Sequence, residues 1–316
     1  MKKGYILIGC AGSLFATTGL FSSNLIARGL TVEQITFTRA FIGFLVISIY
    51  SVLKKPEVFK TSKKVIGLSM LSGIICQVAF NVCYFKAISS VGISIAAVLL
   101  YTSPLFVALF SNIVYKENIN KMKRLSILLC FIGAIVAVLG GRFEFAEINV
   151  FGFLLGLGAS LTYACMPIIN KGALKECSSF TIIIYGFLFG SIFITPIAKP
   201  WLIISHVTDI STLILIIGIG VFPAALAYIC YVGGIEMGIE LSVAGVVSSI
   251  ELVISVLIGW FILGEAFSFI KLIGVLIMIV SALVATKAPT KMPTNKSKKN
   301  YRSECSIMNE CSTVNK

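Results

Sequence analysis

The stretch Leu241–Glu265, LSVAGVVSSIELVISVLIGWFILGE, carries one charge between its ends, Glu251. Roughly 20 apolar residues suffice for a helix to cross the hydrocarbon core of a bilayer, so the stretch is long enough to span one. A carboxylate at that depth is costly unless it is paired, protonated or turned toward a polar cavity, which makes Glu251 a functional position by default.

The rest of the chain has the same character. It is 58% hydrophobic and 12% charged, with a mean hydropathy of +1.01, more apolar than the core of a soluble domain of 316 residues requires. The class is a polytopic all-α membrane protein. The net charge of +13 does not indicate nucleic acid, because the Lys and Arg residues gather in short loops and a tail between apolar runs. Of nine cysteines, six (Cys10, Cys76, Cys83, Cys130, Cys165 and Cys230) lie inside apolar runs without ligand spacing and read as small apolar residues.

Ten apolar segments follow one another at about 4–27, 33–53, 65–88, 91–115, 124–141, 149–170, 179–198, 211–235, 239–263 and 268–286. Several are separated by only a few residues, so neighbours form tight antiparallel hairpins. The first is too long for the core of a signal peptide and is read as a retained helix. With the N-terminus inside, 20 Lys and Arg residues fall on the inner face and five (Arg28, Lys86, Arg142, Lys199 and Lys271) on the outer. Basic residues near helix ends resist translocation, so both termini are placed in the cytoplasm of a multi-pass cell-membrane protein. Cys177, Cys305 and Cys311 then lie in a reducing compartment, and no structural disulfide is expected. The tail 288–316 is polar, Lys- and Ser-rich and without apolar periodicity, and is expected to be a disordered, basic cytoplasmic segment.

Sliding the chain on itself reveals a repeat at an offset of 146 to 148 residues. Gly12, Asn24 and Ala27 fall on Gly158, Asn170 and Ala173, and Ser94, Ala96, Val98, Glu117, Lys123 and Leu128 fall on Ser242, Ala244, Val246, Glu265, Lys271 and Leu276. From 94 to 137 there are ten identities in 44 positions. The units are 4–141 and 149–287, five helices each. Five is odd, so the second copy enters the membrane from the opposite side: two inverted five-helix repeats, an arrangement by which secondary transporters hold a midplane site.

The segments FTRAFIGFL, AISSVGISIAAVLLYTSPLFVALFSNIVYKEN and GIEMGIELSVAGVVSSIELVISVLIGWFILGEAF resemble the paired EamA domains of the drug/metabolite transporter superfamily. The features that carry the resemblance are the Ser-Pro of the fourth segment, the Glu of the ninth, the Glu ending both, and the helix count. Departures are Phe15 where a tryptophan is often found and Leu252 where a proline commonly follows the glutamate. The resemblance implies alternating-access transport of small metabolites, often export of amino acids or related compounds.

Polar residues within the spans locate the candidate site, because in lipid they must face the bundle interior or a cavity. Gln77, Asn81 and Tyr84 are spaced by four and three and share a helix face, matched in the second copy by Tyr228 and Tyr231. Ser248, Glu251 and Ser255 share another. Tyr101, Thr102 and Ser103 precede Pro104, whose missing N–H frees the Leu100 carbonyl. The first segment offers Ser13, Thr17 and Asn24, the sixth Thr162, Tyr163 and Asn170. For each of these, hydrogen bonding to a neighbouring helix is the plain alternative to lining a cavity. Arg39 and Glu251, the two charges inside the membrane, either pair with each other to fix packing or serve a substrate. In the second case Glu251 binds an ammonium or takes up a proton, and Arg39 receives a carboxylate.

The single histidine, His206, falls in a loop, and no Gly-rich phosphate cradle followed by Lys-Ser/Thr is present, so no ATP site, cofactor or His-based metal site is expected. Glu117 and Glu265 are expected to cap helices or bridge to Lys123 and Lys271. The partners are thus a small-molecule substrate and the bilayer, with a homodimer left open. A secondary transporter is the leading reading. An exchanger of nucleotide sugars or phosphorylated metabolites would need several cavity cations where only Arg39 is clear, and a membrane enzyme would need a catalytic cluster.

Overall fold

The computed structural model of the chain describes residues 2–140, 149–207, 209–264 and 266–288. Ten helices among them are long and apolar enough to cross a membrane: α1 (Lys2–Ile26), α2 (Val32–Lys54), α3 (Lys63–Gly92), α4 (Ser94–Tyr115), α5 (Lys121–Leu139), α6 (Val150–Ala173), α7 (Ser179–Ala198), α8 (Ile210–Glu236), α9 (Leu241–Phe261) and α10 (Phe269–Lys287). Arg142, Glu265 and the tail beyond Ala288 lie outside the described residues. Below, the N-side is the face that carries the N-terminus.

Short polar side chains start most of these helices. Thr31 and Gln34 close a capping box on α2, and Ser62, Asn120, Asn149, Ser178, Asp209 and Ser268 each accept a first-turn backbone N–H of the helix that follows. Each oxygen satisfies a donor that a helix start leaves open, so the chain can turn between helices with little loop. The tightest joint is between α3 and α4, where Gly92 alone leaves helical geometry, at φ 82°. A side chain there would clash with the backbone, and glycine has none.

The packing partners obey a twofold relation. α2 lies against its own counterpart α7 and α5 against its counterpart α10, while α1 packs on α8 and α6 on α3. Exchanging the two copies converts the α1–α8 contact into the α6–α3 contact and returns the other two to themselves. The fold is therefore ten transmembrane helices in two inverted five-helix repeats, as the doubled sequence predicts. At the α5–α10 seam the backbones nearly touch: a Cβ at Gly274 would stand 2.3 Å from the Ala137 nitrogen. Such small-residue contacts replace the hydrophobic drive that lipid does not supply between helices. The outward stripe of α10, Ile270, Ile273, Leu276, Val280 and Leu283, stays exposed, as lipid contact demands.

Candidate functional site

Four of the ten helices are irregular, and their irregularities match across the repeat. In α4 the helix stops at Leu100, turns through Tyr101 and Thr102, and restarts at Ser103 with Pro104 in its first turn. In α9 it stops at Ser248, turns at Ser249 and restarts at Ile250. Tyr101 and Ser249 are 148 residues apart, the offset of the sequence repeat. Ser103 and Glu251 therefore hold equivalent places at the start of the second half-helix. α3 contains a π-helical segment at Gly73–Ala79 and α8 one at Val221–Leu226, whose starts are again 148 residues apart. In α8 the cause is local, since Pro223 has no N–H and its ring crowds the Ile219 carbonyl. π-helical turns are rare inside α-helices and frequently lie at functional sites.

Several polar groups of these helices bond to other helices. The Leu100 carbonyl freed by Pro104 accepts from Ser160 Oγ of α6 at 3.4 Å, and the Ser160 and Thr102 hydroxyls lie 2.7 Å apart. The break in α4 is thus stitched to α6. Asn81 donates to the Gln77 carbonyl and accepts from Thr36 Oγ1 of α2 at 3.1 Å. It ties α2 to α3. Ser248 donates to the Gly245 carbonyl of its own helix at 3.1 Å, and Ser103 is buried at the restart of α4.

Arg39 and Glu251 form no ion pair with each other. Among the described residues the ion pairs are Lys64–Glu176, Lys123–Glu240 and Lys171–Glu117. The two membrane charges are half-buried and act on one another through space. Glu251 is also within electrostatic reach of Tyr84, Tyr101, Tyr163 and Tyr228, and Arg39 of Tyr163 and Tyr228. This brings α2, α3, α4, α6, α8 and α9 to one central place. Aromatic rings wall it. Phe15 meets Tyr228 edge-on at 5.4 Å and Tyr231 at 6.2 Å, Phe187 meets Tyr228 at 4.8 Å, and Phe80 contacts Tyr84 at 5.7 Å and Tyr163 at 5.5 Å. Phe80, Phe187 and Ser160 were not placed at the site by sequence reasoning. The phenylalanines give no signal among 23 of their kind, and Ser160 is one of many hydroxyls in an apolar run. Tyr163 is one of the polar residues that the sixth segment offered.

On the N-side rim the expected Glu117–Lys123 bridge is replaced by two others. Glu117 pairs with Lys171 of α6 at 2.6 Å and accepts from the Leu241 and Ser242 backbone N–H groups at 3.0 and 3.3 Å and from Ser242 Oγ at 3.2 Å, so it caps α9. Lys123 turns to Glu240 and the Asn118 carbonyl. The reason is geometric: the helix start of α9 offers two aligned donors and positive dipole charge that Lys123 cannot. Burial alone would raise the Glu117 carboxyl, but Lys171 and the α9 N–H groups hold it below the ordinary carboxylate value. Each of the three ion pairs joins one repeat to the other. The bridge expected between Glu265 and Lys271 lies outside the described residues, and among those residues no group of three or more His, Cys, Asp or Glu could hold a metal.

The model of the EamA-like transporter family matches the chain twice, at residues 2–139 and 150–287. A protein of Archaeoglobus fulgidus described as an uncharacterized transporter is 26% identical over 285 residues, covering 90% of this chain and 97% of its own. The pseudopaline exporter CntI of Pseudomonas aeruginosa is 25% identical over 185 residues, 58% of this chain and 62% of its own. A protein of known crystal structure superposes with a TM-score of 0.74 at 18% identity, covering 90% of this chain and 97% of that one, which shows a shared fold. With ten spanning helices and both repeats matched, the chain is a multi-pass membrane transporter that belongs to the EamA-like transporter family.

Proposed function

We propose that the protein is a secondary active transporter working by alternating access, and that it exports amino acids or related small metabolites and drugs across the cell membrane, with both termini in the cytoplasm. The observation that carries this reading is the pair of matched breaks in α4 and α9, one of which places Glu251 opposite Arg39 in an aromatic-walled centre. Broken helices at a repeat interface leave polar groups at the midplane without a helical partner, and a bound solute supplies one. A carboxylate and a guanidinium that act on one another without forming an ion pair match the ammonium and carboxylate of a zwitterion. Gln77, Tyr84, Tyr101, Tyr228 and Tyr231 complete the substrate surface in this reading, with Ser103 and Ser248 at the breaks. Asn81 contributes by holding α2, and so Arg39, against α3. Export is supported by the relative named an exporter, and orientation by the excess of Lys and Arg on the N-side.

A phosphorylated substrate is disfavoured, because Arg39 is the one cation facing the centre among the described residues and Lys86 is exposed. The test is counterflow of labelled amino acids, amines and nucleotide sugars in proteoliposomes. Zwitterion exchange that falls at least about tenfold in both Glu251→Gln and Arg39→Gln is the expected result, a loss of one charge-assisted contact each. Exchange of zwitterions unaffected by either substitution sinks the proposal.

A further inference from the structure

α4 ends and α9 begins on the N-side, so the second half of α4, Ser103–Tyr115, and the first half of α9, Leu241–Ser248, share the N-side half of the bundle. These two half-helices pack on each other. A Cβ at Gly245 would stand 3.7 Å from the Val107 Cβ and 3.7 Å from the Pro104 Cα, and every residue from Leu241 to Val247 is buried. Among the described residues no such packing joins the remaining halves, 94–100 of α4 and Ile250–Phe261 of α9. In that half of α9 only Leu252, Val253 and Gly259 are buried, and Glu251 at its start is half-buried. The repeat relates the two seams. At the offset of 148 residues, exchanging the copies carries the packed pair of halves onto the unpacked pair, with Val107 falling on Ser255 and Gly245 on Ala97. Ser242 and Ser94 are identical and equivalent, yet the first is buried against Glu117 and the second is exposed. Inverted repeats open a midplane site to one side and then the other by trading two such arrangements.

We propose that the N-side halves of α4 and α9 form a gate that is shut in this structure, that Glu117 latches it, and that it opens when 94–100 and Ile250–Phe261 close on each other instead. Glu117 follows the last residue of α4 by two positions, and its carboxylate takes the Leu241 and Ser242 N–H groups at the start of α9 while Lys171 of α6 holds it from a third helix. Parting the halves draws the carboxylate away from those donors. Glu117 is therefore a positioning residue: it sets the balance between the two states without touching the solute. The turns at Tyr101 and Ser249 are the hinges, since a few residues between rigid helical halves can absorb the change in dihedral angles. Ala97 and Ser255 are small, which leaves the opposite seam free to close. The inference rests on the alternating-access reading and adds which halves move and what holds them.

The experiment cross-links each seam in the full chain with its native cysteines replaced by alanine. Val107→Cys with Gly245→Cys sets two Cβ atoms 3.7 Å apart, within the range of about 3.5–4.5 Å that a disulfide needs. This bridge should form readily on oxidation and arrest counterflow of labelled amino acids and amines until reductant is added. Bridged protein that exchanges them as fast as the reduced protein overturns the gate. Ala97→Cys with Ser255→Cys should bridge only as molecules reach the opposite state, and arrest counterflow as well. A chain with all four cysteines should carry one bridge or the other, read as the mass of intact molecules, and molecules with both overturn the exchange of seams. Glu117→Gln keeps the size of the side chain and gives up its charge, so it should slow the first bridge and speed the second. Unchanged rates overturn the latch, and so does a gain in both, which is what general loosening produces. If neither wild type nor any variant exchanges a labelled solute while the two bridges exclude each other, the gate stands and the transport reading falls. Exchange that persists through both bridges does the reverse.

Discussion

Replacing Glu117 by alanine tests the physical account of the rim. The side chain is 5% exposed, accepts two backbone N–H groups of α9 and one hydroxyl, and pairs with Lys171 at 2.6 Å. Alanine leaves the first N–H donors of α9 uncapped, which alone costs about 0.5–2 kcal/mol. Breaking a buried ion pair from one side costs about 3–5 kcal/mol, and these amounts overlap because the same carboxylate makes both. Lys171 keeps 28% of its side-chain surface exposed, so it recovers some hydration and the low end applies, about 3 kcal/mol. At roughly 2 °C per kcal/mol for a chain of this size, the melting temperature in detergent falls by about 6 °C. Lys171→Ala removes one partner while the α9 N–H groups keep theirs, and it should fall by less.

The effect of pH has a definite sign. Glu117 is held below its ordinary value, so the folded state binds the proton less tightly than the unfolded chain does. Its contribution is complete above the unfolded value of about 4.3 and is lost as pH falls through the lower folded value. The difference in melting temperature between wild type and Glu117→Ala should therefore be constant from pH 8 to about 6 and shrink as pH falls below about 4.3. A variant that melts within about 1 °C of wild type at pH 7 would refute the assigned cap and pair.

Ser160→Ala should cost about 1–3 kcal/mol in thermal unfolding, because it strips the Leu100 carbonyl and the Thr102 hydroxyl of a shared partner in a dry seam. Gly274→Val places atoms where the Ala137 backbone already lies 2.3 Å from a Cβ, and should lower the melting temperature by at least what about 1–3 kcal/mol of overpacking implies; an unchanged melt would contradict the α5–α10 seam. Lys64→Ala should change stability by under about 1 kcal/mol, since its pair with Glu176 is water-exposed, at 71% and 30% of the two side chains.

Spans and doubling were readable because both are local properties of the chain. Hydropathy over about 20 residues decides whether a segment can cross, and an offset of 148 residues aligns Glu117 with Glu265 and Ser103 with Glu251. The position of Glu251 in the middle of its span, and the Leu100 carbonyl that Pro104 frees, were visible for the same reason. The identity of each polar group's partner was a different matter. The Leu100 carbonyl could be predicted to lack its helical donor, but not that Ser160, 60 residues on, would supply one.

Asn81 and Gln77 look alike on one helix face, yet Thr36 of α2 bonds the first, while the Oε1 of the second meets no donor among the described residues. Glu117 had Lys123 six residues away, and instead went to Lys171 and the start of α9, which only the packing of one repeat on the other brings near. The π-segments share this origin: proline explains the one at Val221–Leu226, while Gly73–Ala79 has no proline and matches it by position in the repeat. Sequence alone determined that this chain crosses the membrane ten times in two related halves with two charges at depth, because the cost of polarity in lipid is paid segment by segment. Tertiary structure decided which polar groups are spent on holding helices together and which are left out of those contacts, because hydrogen bonds between helices depend on neighbours far away in the chain.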